Sequence, residues 1–386
     1  MTEWDDQTLA AILGREEREL LSEWDRERLA GARVLITGAG GSVGGALAKV
    51  VARCQPEMLT LLDHSEYALF RVEQELARVA PGVTVVPLLG DVVRRRSLRQ
   101  AFERTFPDVV YHAAAYKHVT MTERAVAPAI EVNVFGTLNV ARTAREYAAR
   151  LVLVSTDKAA QPASVMGATK RLAEMVVMAQ EDSDFRPVAV RFGNILGSSG
   201  SLIEIVADAI RAGRPIPLTD PQATRYFMTA REAVSLVLKA DLLGQGGEIY
   251  WLDMGEPVRV LDIVDRMRHL AIERGERSVP IQVVGLRPGE KQREELTTQG
   301  LDLGPTPHRR IWKARQPALD RARIARVVRA MREDLRRGDV LAALQDLAAA
   351  VPEYTPSKQA WQQAAGVSVE PLARPLVAAE ARALVA

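Results

Sequence analysis

The sequence predicts an α/β fold in which a doubly wound parallel sheet is joined to a smaller C-terminal domain. Short apolar runs rich in β-branched residues, the first at 34–36, alternate with helical patterns long enough to cross between parallel strands. A glycine-rich turn follows the first run. Beyond Asn194, glycine, serine and proline interrupt the alternation, as expected where a second domain is inserted.

The composition limits the class of protein before any motif is considered. The 386 residues are 47% hydrophobic and 26% charged with a net charge of +2, which is typical of a globular protein and does not favour nucleic acid as a partner. The single cysteine, Cys54, excludes an internal disulfide, and we expect it to pack in the first helix. We expect a soluble, cytoplasmic protein, because no apolar run approaches the roughly 20 residues of a bilayer span and the acidic N-terminus is unlike a signal peptide.

The glycine-rich turn joins the strand at 34–36 to a helix. In such a turn the backbone lets the pyrophosphate of a dinucleotide approach closely, and the helix N-terminus presents free N–H groups to it. Gly38 permits the tight turn, Gly41 the close approach and Gly44 the packing of helix on strand. A plain strand-to-helix turn is the alternative. The cofactor-binding residues predicted here are Gly38, Gly41, Ser42, Val43 and Gly44.

The second strand, 58–62, ends in an acid that selects the cofactor. Asp63 stands about twenty residues after the glycine turn, where a carboxylate accepts from the ribose 2′-hydroxyl of NAD. It would repel the 2′-phosphate of NADP, and residues 64–67 hold no arginine to neutralise one. NAD is therefore the expected cofactor, although Arg71 in the next helix favours NADP. The residues predicted to surround this ribose are Asp63, His64 and Ser65.

The third and fourth strands, 83–89 and 108–112, place acidic and small residues at the same edge of the sheet. Asp91 follows the third strand, where its carboxylate could accept from the adenine amino group, cap the next helix, or do both. The fourth strand runs into three alanines, whose small side chains leave room for the dinucleotide. The cofactor residues predicted at these two strand ends are Asp91, Val92, Ala113, Ala114 and Ala115.

The later elements complete the sheet. A long helix over 120–149 places Asn133 where its amide could hold backbone near the site. Right-handed crossovers bring all the strand ends to one edge. The remaining predicted elements are helices over 65–79, 164–180 and 231–243, strands over 151–154, 188–192 and 248–252, and a helical stretch over 318–350.

The chain divides into predicted domains. Residues 1–32 form a charged segment of one or two amphipathic helices that pack on the main domain or on another subunit. The other predicted units are a dinucleotide-binding domain over 33–193 completed by 226–254, a substrate-binding domain over 194–225 and 255–355, and a loosely ordered tail over 356–386.

The candidate catalytic residues follow the fifth strand. Asp157 and Lys158 are an adjacent carboxylate and ammonium, which suits an elimination in which one group protonates a leaving hydroxyl and the other removes a carbon-bound proton. A surface ion pair is the alternative and would contribute little. On the following helix, Lys170 stands four residues after Met166, whose thioether can neither donate nor accept a mobile proton.

The dinucleotide turn together with Thr156, Met166 and Lys170 resembles the extended short-chain dehydrogenase/reductase family, which has the Rossmann fold. In that family a Ser or Thr after the fifth strand works with a Tyr-x-x-x-Lys pair, and here methionine stands at the tyrosine position. The stretches that narrow the resemblance are Ala-Ala-Ala-Tyr-Lys-His-Val at 113–119, Ser-Thr-Asp-Lys-Ala at 155–159 and Gly-Leu-Arg-Pro-Gly-Glu-Lys at 285–291.

These stretches are similar to the nucleotide-sugar 4,6-dehydratases of polysaccharide biosynthesis that act on UDP-N-acetylglucosamine. The resemblance covers residues 13–354. Larger members carry a membrane-spanning N-terminal half and also have methionine at the tyrosine position. The chain therefore resembles a soluble short form of the methionine type.

The resemblance implies a mechanism for named residues. NAD oxidises the sugar at C4, which acidifies the C5 proton; Lys158 removes that proton, Asp157 protonates the departing C6 hydroxyl, and the hydride returns to C6. Lys170 holds the nicotinamide ribose, and Thr156 hydrogen-bonds the C4 oxygen. Because Met166 cannot take the O4 proton, Asp157 acting through Thr156 is the first candidate for that role.

The expected partner is a UDP-sugar, with no nucleic acid, no metal and no membrane span. Arg225, Arg287 and Lys291 are candidates for binding its diphosphate, and a solvated surface charge is the alternative for each. The full predicted substrate set is Lys117, His118, Asn194, Arg225, Arg287, Glu290 and Lys291.

The resemblance also implies a homo-oligomer, a dimer or larger. The helices over 120–149 and 164–180 are expected to pair with their copies in a second subunit. Two functional alternatives stay open: a nucleotide-sugar epimerase or oxidoreductase on the same fold, and a catalytically inactive NAD-sensing protein.

Overall fold

The computed structural model describes residues 6–15, 17, 21–298, 301, 303–315 and 319–367. Its strands, in chain order, are β1 (Arg33–Thr37), β2 (Met58–Asp63), β3 (Val85–Leu89), β4 (Val109–His112), β5 (Arg150–Val154), β6 (Val188–Arg191), β7 (Asn194–Ile195), β8 (Ile216–Leu218), β9 (Thr224–Arg225), β10 (Phe227–Met228), β11 (Glu248–Leu252), β12 (Val258–Arg259), β13 (Ile281–Val283), β14 (Gly304–Pro305) and β15 (Ile311–Arg315).

The helices follow the same convention. The α-helices are α1 (Asp6–Leu13), α2 (Glu23–Leu29), α3 (Ser42–Ala52), α4 (Glu66–Val79), α5 (Arg95–Thr105), α6 (Val119–Thr122), α7 (Val126–Ile130), α8 (Thr137–Glu146), α9 (Val165–Met178), α10 (Leu202–Arg211), α11 (Ala230–Leu243), α12 (Val260–Glu273), α13 (Arg321–Arg336), α14 (Val340–Ala350) and α15 (Lys358–Ala364). A π-helical segment covers Glu131–Gly136, and a 3₁₀ turn covers Asp157–Ala159.

Within the described residues, the main sheet has the strand order β14-β15-β11-β6-β5-β4-β1-β2-β3. The strands from β11 to β3 are parallel, and they are the seven strands that the apolar runs predict. The doubly wound α/β prediction is confirmed. β1 and β4 are neighbours although β2 and β3 come between them in the chain, so their carboxyl ends open the crevice in which such a sheet binds its ligands.

The helix predicted over 120–149 is broken into α6, α7, the π-helical segment and α8. Pro128 explains the first break: it lacks an N–H, and its ring would clash with the carbonyl four residues earlier in a continuous helix. A new helix therefore begins at Val126 and holds the proline in its first turn. The π-helical segment follows directly and carries Asn133.

A smaller lobe has its own core. Ile203, Ile216 and Ile263, from the segments 194–225 and 255–283, belong to one buried cluster. The remainder of the predicted substrate-binding domain does not belong to this lobe, so the predicted end of that domain at residue 355 is wrong. β15 pairs antiparallel with β11 and extends the main sheet, and its Ile311 and Ala314 side chains are buried.

The C-terminal helices cover α9. Val328 and Leu344, from α13 and α14, belong to the same buried cluster as Leu172 and Val176 of α9. The predicted pairing of α9 with a second subunit is therefore wrong, since the chain's own helices occupy that face. α15 shows that regular structure continues into the predicted tail, whose residues 368–386 lie outside the described part of the chain.

The N-terminal helices pack on the body of the protein, as predicted. α1 places Ile12 in the core of the smaller lobe. α2 lies against α11, where Asp25 and Lys239 form an ion pair of 3.2 Å. Residues 1–5, 16 and 18–20 of the predicted segment lie outside the described residues. Among the described helices, each is too short or too polar to cross a bilayer.

Candidate active site

A cleft of about 800 Å³ opens at the carboxyl ends of β1, β4 and β5. This volume is typical of a small-molecule site. Most of the predicted catalytic and cofactor residues meet there. The predicted residues that line the cleft are Gly38, Gly41, Ser42, Val43, Gly44, Ala113, Ala115, Lys117, His118, Thr156, Lys158, Met166, Lys170 and Asn194.

Other predicted residues stand behind the wall of the cleft or at a distance from it. In the described structure, the predicted residues that do not line the cleft are Asp63, His64, Ser65, Asp91, Val92, Ala114, Asp157, Arg225, Arg287, Glu290 and Lys291. Their contacts show what each does in this fold.

The glycine turn has the geometry that its sequence predicts. Gly38 has a φ of +68°, and a Cβ on it would stand 2.6 Å from the Cα of Ala114. A Cβ on Gly44 would stand 2.0 Å from the Gly38 carbonyl oxygen, so α3 packs directly on the turn. A Cβ on Gly41 would meet only that same oxygen, at 3.2 Å, and the other side of the residue is open. The turn is thus closed toward the protein and open toward the cleft.

Asp63 ends β2 and holds the glycine turn. Its Oδ2 accepts from the Gly40 N–H at 2.9 Å, and its Oδ1 accepts from the Ser65 N–H at 2.9 Å. His64 is mostly exposed beside it, and the Ser65 hydroxyl caps α4 by accepting from the Ala68 N–H. A carboxylate has about four acceptor positions. Asp63 can therefore hold the turn and still accept from a ribose hydroxyl.

Asp91 and Val92 have structural contacts at the end of β3. The Asp91 carboxylate accepts from the Val93 N–H at 2.9 Å, whereas α5 begins at Arg95 with no side-chain cap. The helix-capping role considered for Asp91 is therefore wrong. Val92 is buried, and a Cβ on Gly136 would stand 2.8 Å from its Cγ2. This contact packs the π-helical segment against the loop after β3.

Thr156, Asp157 and Lys158 form a hydrogen-bonded array at the end of β5. The Thr156 hydroxyl donates to Asp157 Oδ1 at 2.9 Å, and Lys158 Nζ donates to the same oxygen at 3.0 Å. Lys158 also donates to Asn194 Oδ1 at 2.9 Å. The Asp157 side chain is fully buried, and its Oδ2 has no hydrogen-bond partner among the described residues. Asp157 is therefore connected to the cleft through Thr156 and Lys158.

Glu294 joins this array and is missed by sequence reasoning. Its Oε1 lies 3.8 Å from Lys158 Nζ and 3.6 Å from Arg225 Nε, and its side chain is nearly buried. Burial raises the pKa of the Glu294 carboxyl, although Lys158 and Arg225 oppose the shift. The residue follows the charged 285–291 stretch by a few positions, but only the fold brings it to Lys158.

Arg225 has a different use from the one expected. Its guanidinium donates to the carbonyl oxygens of Lys291 at 2.6 Å and Gln292 at 3.1 Å, so it fastens the charged loop to β9. Arg287 pairs with Glu290 at 3.1 Å in a largely exposed position. The guanidinium of Arg225, which was predicted to bind a diphosphate, thus binds backbone carbonyls in this structure, and that of Arg287 binds a carboxylate.

α9 begins against the catalytic turn. Ser164 caps it, and a Cβ on Gly167 would stand 2.4 Å from the Lys158 carbonyl oxygen, so only glycine allows this contact. Lys170, one turn further, is buried and donates to the Val154 carbonyl at 2.7 Å. Burial lowers the pKa of Lys170 to about 8, and Glu174 opposes the shift.

A buried ion pair fixes the end of β5 from behind. Glu174 of α9 accepts two hydrogen bonds of 2.6 Å from Arg191 of β6 and one of 2.7 Å from the Ser155 hydroxyl. Arg191 also donates to Thr298 at 2.8 Å. Because both charges are fully buried and satisfied in this pair, removing either partner would be destabilising.

Asn133 holds backbone near the site, as predicted. Its Oδ1 accepts from the Tyr116 N–H at 2.8 Å, and its Nδ2 donates to the Tyr116 carbonyl at 3.1 Å and to Thr169 at 3.0 Å. This anchor positions the next two residues, Lys117 and His118, which line the cleft. Burial lowers the pKa of both side chains.

The residues present fit a dinucleotide. The first turn of α3 lines the cleft beside the open side of Gly41, and the first N–H groups of a helix have no partner within it. Ala113 and Ala115 line the cleft without filling it. Among the described residues, no cluster of three or more His, Cys, Asp or Glu side chains could hold a metal ion.

The comparisons with known proteins agree with this geometry. A family model described as polysaccharide biosynthesis protein matches residues 34–316. The capsular polysaccharide biosynthesis protein CapD of Staphylococcus aureus is 42% identical over 289 residues, which are 74% of this chain and 48% of CapD. The chain thus spans about half the length of that curated relative.

Solved structures extend the likeness. The X-ray structure of Pen from Bacillus thuringiensis has a TM-score of 0.70 and 29% identity, covering 75% of this chain and 89% of Pen. A second solved structure is that of DesIV from Streptomyces venezuelae, a dTDP-glucose 4,6-dehydratase with NAD bound. Its TM-score is 0.60 at 22% identity, covering 69% of this chain and 90% of DesIV, so it shows the shared fold. The chain belongs to the polysaccharide biosynthesis protein family, with the fold of the extended short-chain dehydrogenases/reductases that its motifs resemble.

Proposed function

We propose that this protein is an NAD-dependent nucleotide-sugar 4,6-dehydratase that converts UDP-N-acetylglucosamine to a UDP-4-keto-6-deoxy sugar. One observation supports the proposal above all: Thr156 and Lys158, which both hydrogen-bond to the buried Asp157, line the same cleft as Met166, a residue that cannot transfer protons. Proton transfer must then run through the array, and its carboxyl and amine are the pair that an elimination needs.

The glycine turn, Asp63 and Lys170 would hold the cofactor. When bound, NAD would supply the oxidation at C4 and the return of the electrons to C6. Lys170 would donate to the nicotinamide ribose, since its amine already reaches the end of β5. Asp63 would accept from the adenosine ribose while it holds the Gly40 N–H.

The array gives each proton a route. Thr156 would accept the O4 proton of the sugar and pass its own to Asp157, 2.9 Å away. Lys158, in its free-amine form, would take the C5 proton. Asp157 would return the first proton through Thr156 to the C6 hydroxyl, which leaves as water. Lys158 would then give its proton back to C5, so the residues end in their starting states.

The reaction is tested by incubating the purified protein with NAD and several UDP- and dTDP-sugars and following product mass. Loss of one water is expected with UDP-N-acetylglucosamine. A product of unchanged mass would identify an epimerase instead, and NAD binding without turnover of any sugar would identify a binding protein. We also propose a cytoplasmic, homo-oligomeric enzyme, with the contact between copies outside α9.

The mechanism is tested by exchange of the C5 proton with deuterated solvent. Lys158→Ala should abolish exchange and dehydration while NAD still binds, because no other base is proposed at C5. Losing such a group lowers the rate by about 10² to 10⁴. Met166→Ala is the control and should lower activity only through packing. Undiminished C5 exchange in the Lys158 variant would assign the base to another residue.

The cofactor preference is tested by titrating NAD and NADP. Wild type should bind NAD well ahead of NADP, because the Asp63 carboxylate repels a 2′-phosphate. Asp63→Asn should reduce the difference between the affinities for NAD and NADP, while its amide oxygen still accepts one backbone hydrogen bond. Equal affinity of the wild type for the two cofactors would contradict the assignment of NAD.

A further inference from the structure

A second cavity, of about 210 Å³, lies between α8, α9 and α13 and shares no lining residue with the active-site cleft. Its floor is apolar and contains Leu138, Val176 and Val328. We call it the arginine groove, because the charged residues that line it are Arg142, Arg321, Arg329 and Arg332.

The arginines of this groove lack counter-charges. Within the described residues, none of the four has a hydrogen bond or an ion pair with a carboxylate, although Arg332 lies 4.7 Å over the ring of Phe135. Neighbouring arginines differ: Arg145 pairs with Asp182, and Arg99 with Glu146, each at 2.5 Å. The lack of carboxylates is therefore a property of the groove and not of the whole surface.

The positive charges of the groove repel one another, and two of its arginines show the effect in their pKa. Burial lowers the pKa of Arg142, and the nearby Arg95 and Arg329 lower it further. Burial likewise lowers the pKa of Arg332, with Arg142 contributing. Like charges held close together destabilise a fold unless an anion lies between them. Arg142, Arg321 and Arg329 are exposed and Arg332 is half-buried, so an anion in solution can reach all four.

We propose that the arginine groove binds a compact anion with two adjacent phosphate groups. Guanidinium groups hold phosphate oxygens in pairs of parallel hydrogen bonds, and four of them match a diphosphate better than a single phosphate. The small, concave cavity favours such an ion over a protein segment. The site is separate from the cleft and would allow a phosphate compound to act on α9, whose first turn lies against Lys158.

The test is calorimetric titration of the full chain with inorganic pyrophosphate and, separately, with UDP, at low salt. Arg329→Glu should weaken pyrophosphate binding at this site roughly tenfold or more, since a charge-assisted pair is lost and a repulsive charge is gained. Arg326→Glu is the matched control: it makes the same charge change on α13 outside the groove and should leave the affinity nearly unchanged.

Hydrogen exchange locates the binding, because pyrophosphate should protect residues 321–336 in the wild type and not in Arg329→Glu. Tighter binding of UDP than of pyrophosphate at this site would identify a nucleotide as the source of the diphosphate. Equal losses in the two variants would reduce the effect to general surface charge and overturn the proposal. So would pyrophosphate binding that Arg329→Glu leaves intact. Arg329→Gln without ligand should raise Tm slightly, and a lower Tm would assign the arginine to packing and overturn the proposal as well.

Discussion

At the scale of single residues, Lys170 shows how one buried ammonium makes stability depend on pH. Burial lowers its pKa from 10.5 to about 8 in the folded chain, whereas unfolding restores the ordinary value. Between these two pKa values the unfolded chain binds more protons, so stability rises with pH across that window. Below about pH 8 the full cost of the buried charge is present, about 3 kcal/mol at the usual energy per pKa unit.

Replacing Lys170 by methionine should remove this cost. At neutral pH and without cofactor, we expect Lys170→Met to raise the free energy of unfolding by about 1–3 kcal/mol, reduced by the hydrogen bond that Val154 loses. The advantage should shrink as the pH rises from about 8 toward 10.5. Urea unfolding of both proteins at several pH values measures it. A difference that stays constant over that range would show that the ammonium is not the cause.

The site also shows which residues a sequence can indicate. Thr156 and Lys158 were predictable because the carboxyl ends of parallel strands meet at one edge. Gly38, Gly41 and Gly44 were predictable because their spacing has a steric cause. Glu294 was not, because its position depends on how a long irregular loop returns to the sheet, and no local pattern records that route.

At the scale of elements, the seven parallel strands of the main sheet were predicted to within two residues at each end, because buried parallel strands are continuous apolar runs. The breaks in the 120–149 helix were not, although Pro128 marks one of them. β15 was missed because Lys313 and Arg315 interrupt its apolar side chains. Edge strands and short lobes depend on tertiary contacts, and periodicity alone does not reveal them.

The contact between α9 and the catalytic turn gives a prediction at this scale. Gly167→Ala would place a methyl group 2.4 Å from the Lys158 carbonyl oxygen, so the turn or the helix must move. A shift of this size misplaces Lys158 and should lower kcat by roughly 10²-fold with little change in NAD binding. Gly45→Ala is the matched control in α3, since its methyl would meet only ordinary contacts, the nearest at 3.4 Å.

The measurement is steady-state dehydration by both variants, with NAD affinity measured separately. Activity should fall only in Gly167→Ala, while Gly45→Ala keeps its rate and gains a little stability from its higher helix propensity. Full activity in Gly167→Ala would mean that the position of the 3₁₀ turn does not matter for turnover.

At the scale of the whole molecule, the C-terminal helices take the place that a second subunit was expected to fill. α13, α14 and α15 bury the outer faces of α7 and α9 in one cluster with Tyr354 and Val351. This arrangement explains why the predicted pairing of α9 is wrong: the helix has the apolar face that the sequence predicts, but its partner lies in the same chain.

Deleting α13–α15 should therefore expose the apolar face of α9 and favour its association with another molecule. A chain ending at residue 319 would leave Leu172, Val176 and Ala179 uncovered, and each buried aliphatic side chain is worth about 1.5–3 kcal/mol. We expect the shortened protein to self-associate or to lose several degrees of Tm, as judged by light scattering and thermal unfolding. A chain ending at residue 367, which keeps every described helix, is the control. If the chain ending at 319 stayed as stable as the control and scattered light with the same mass per particle, α13–α15 would not be the cover that stabilises α9.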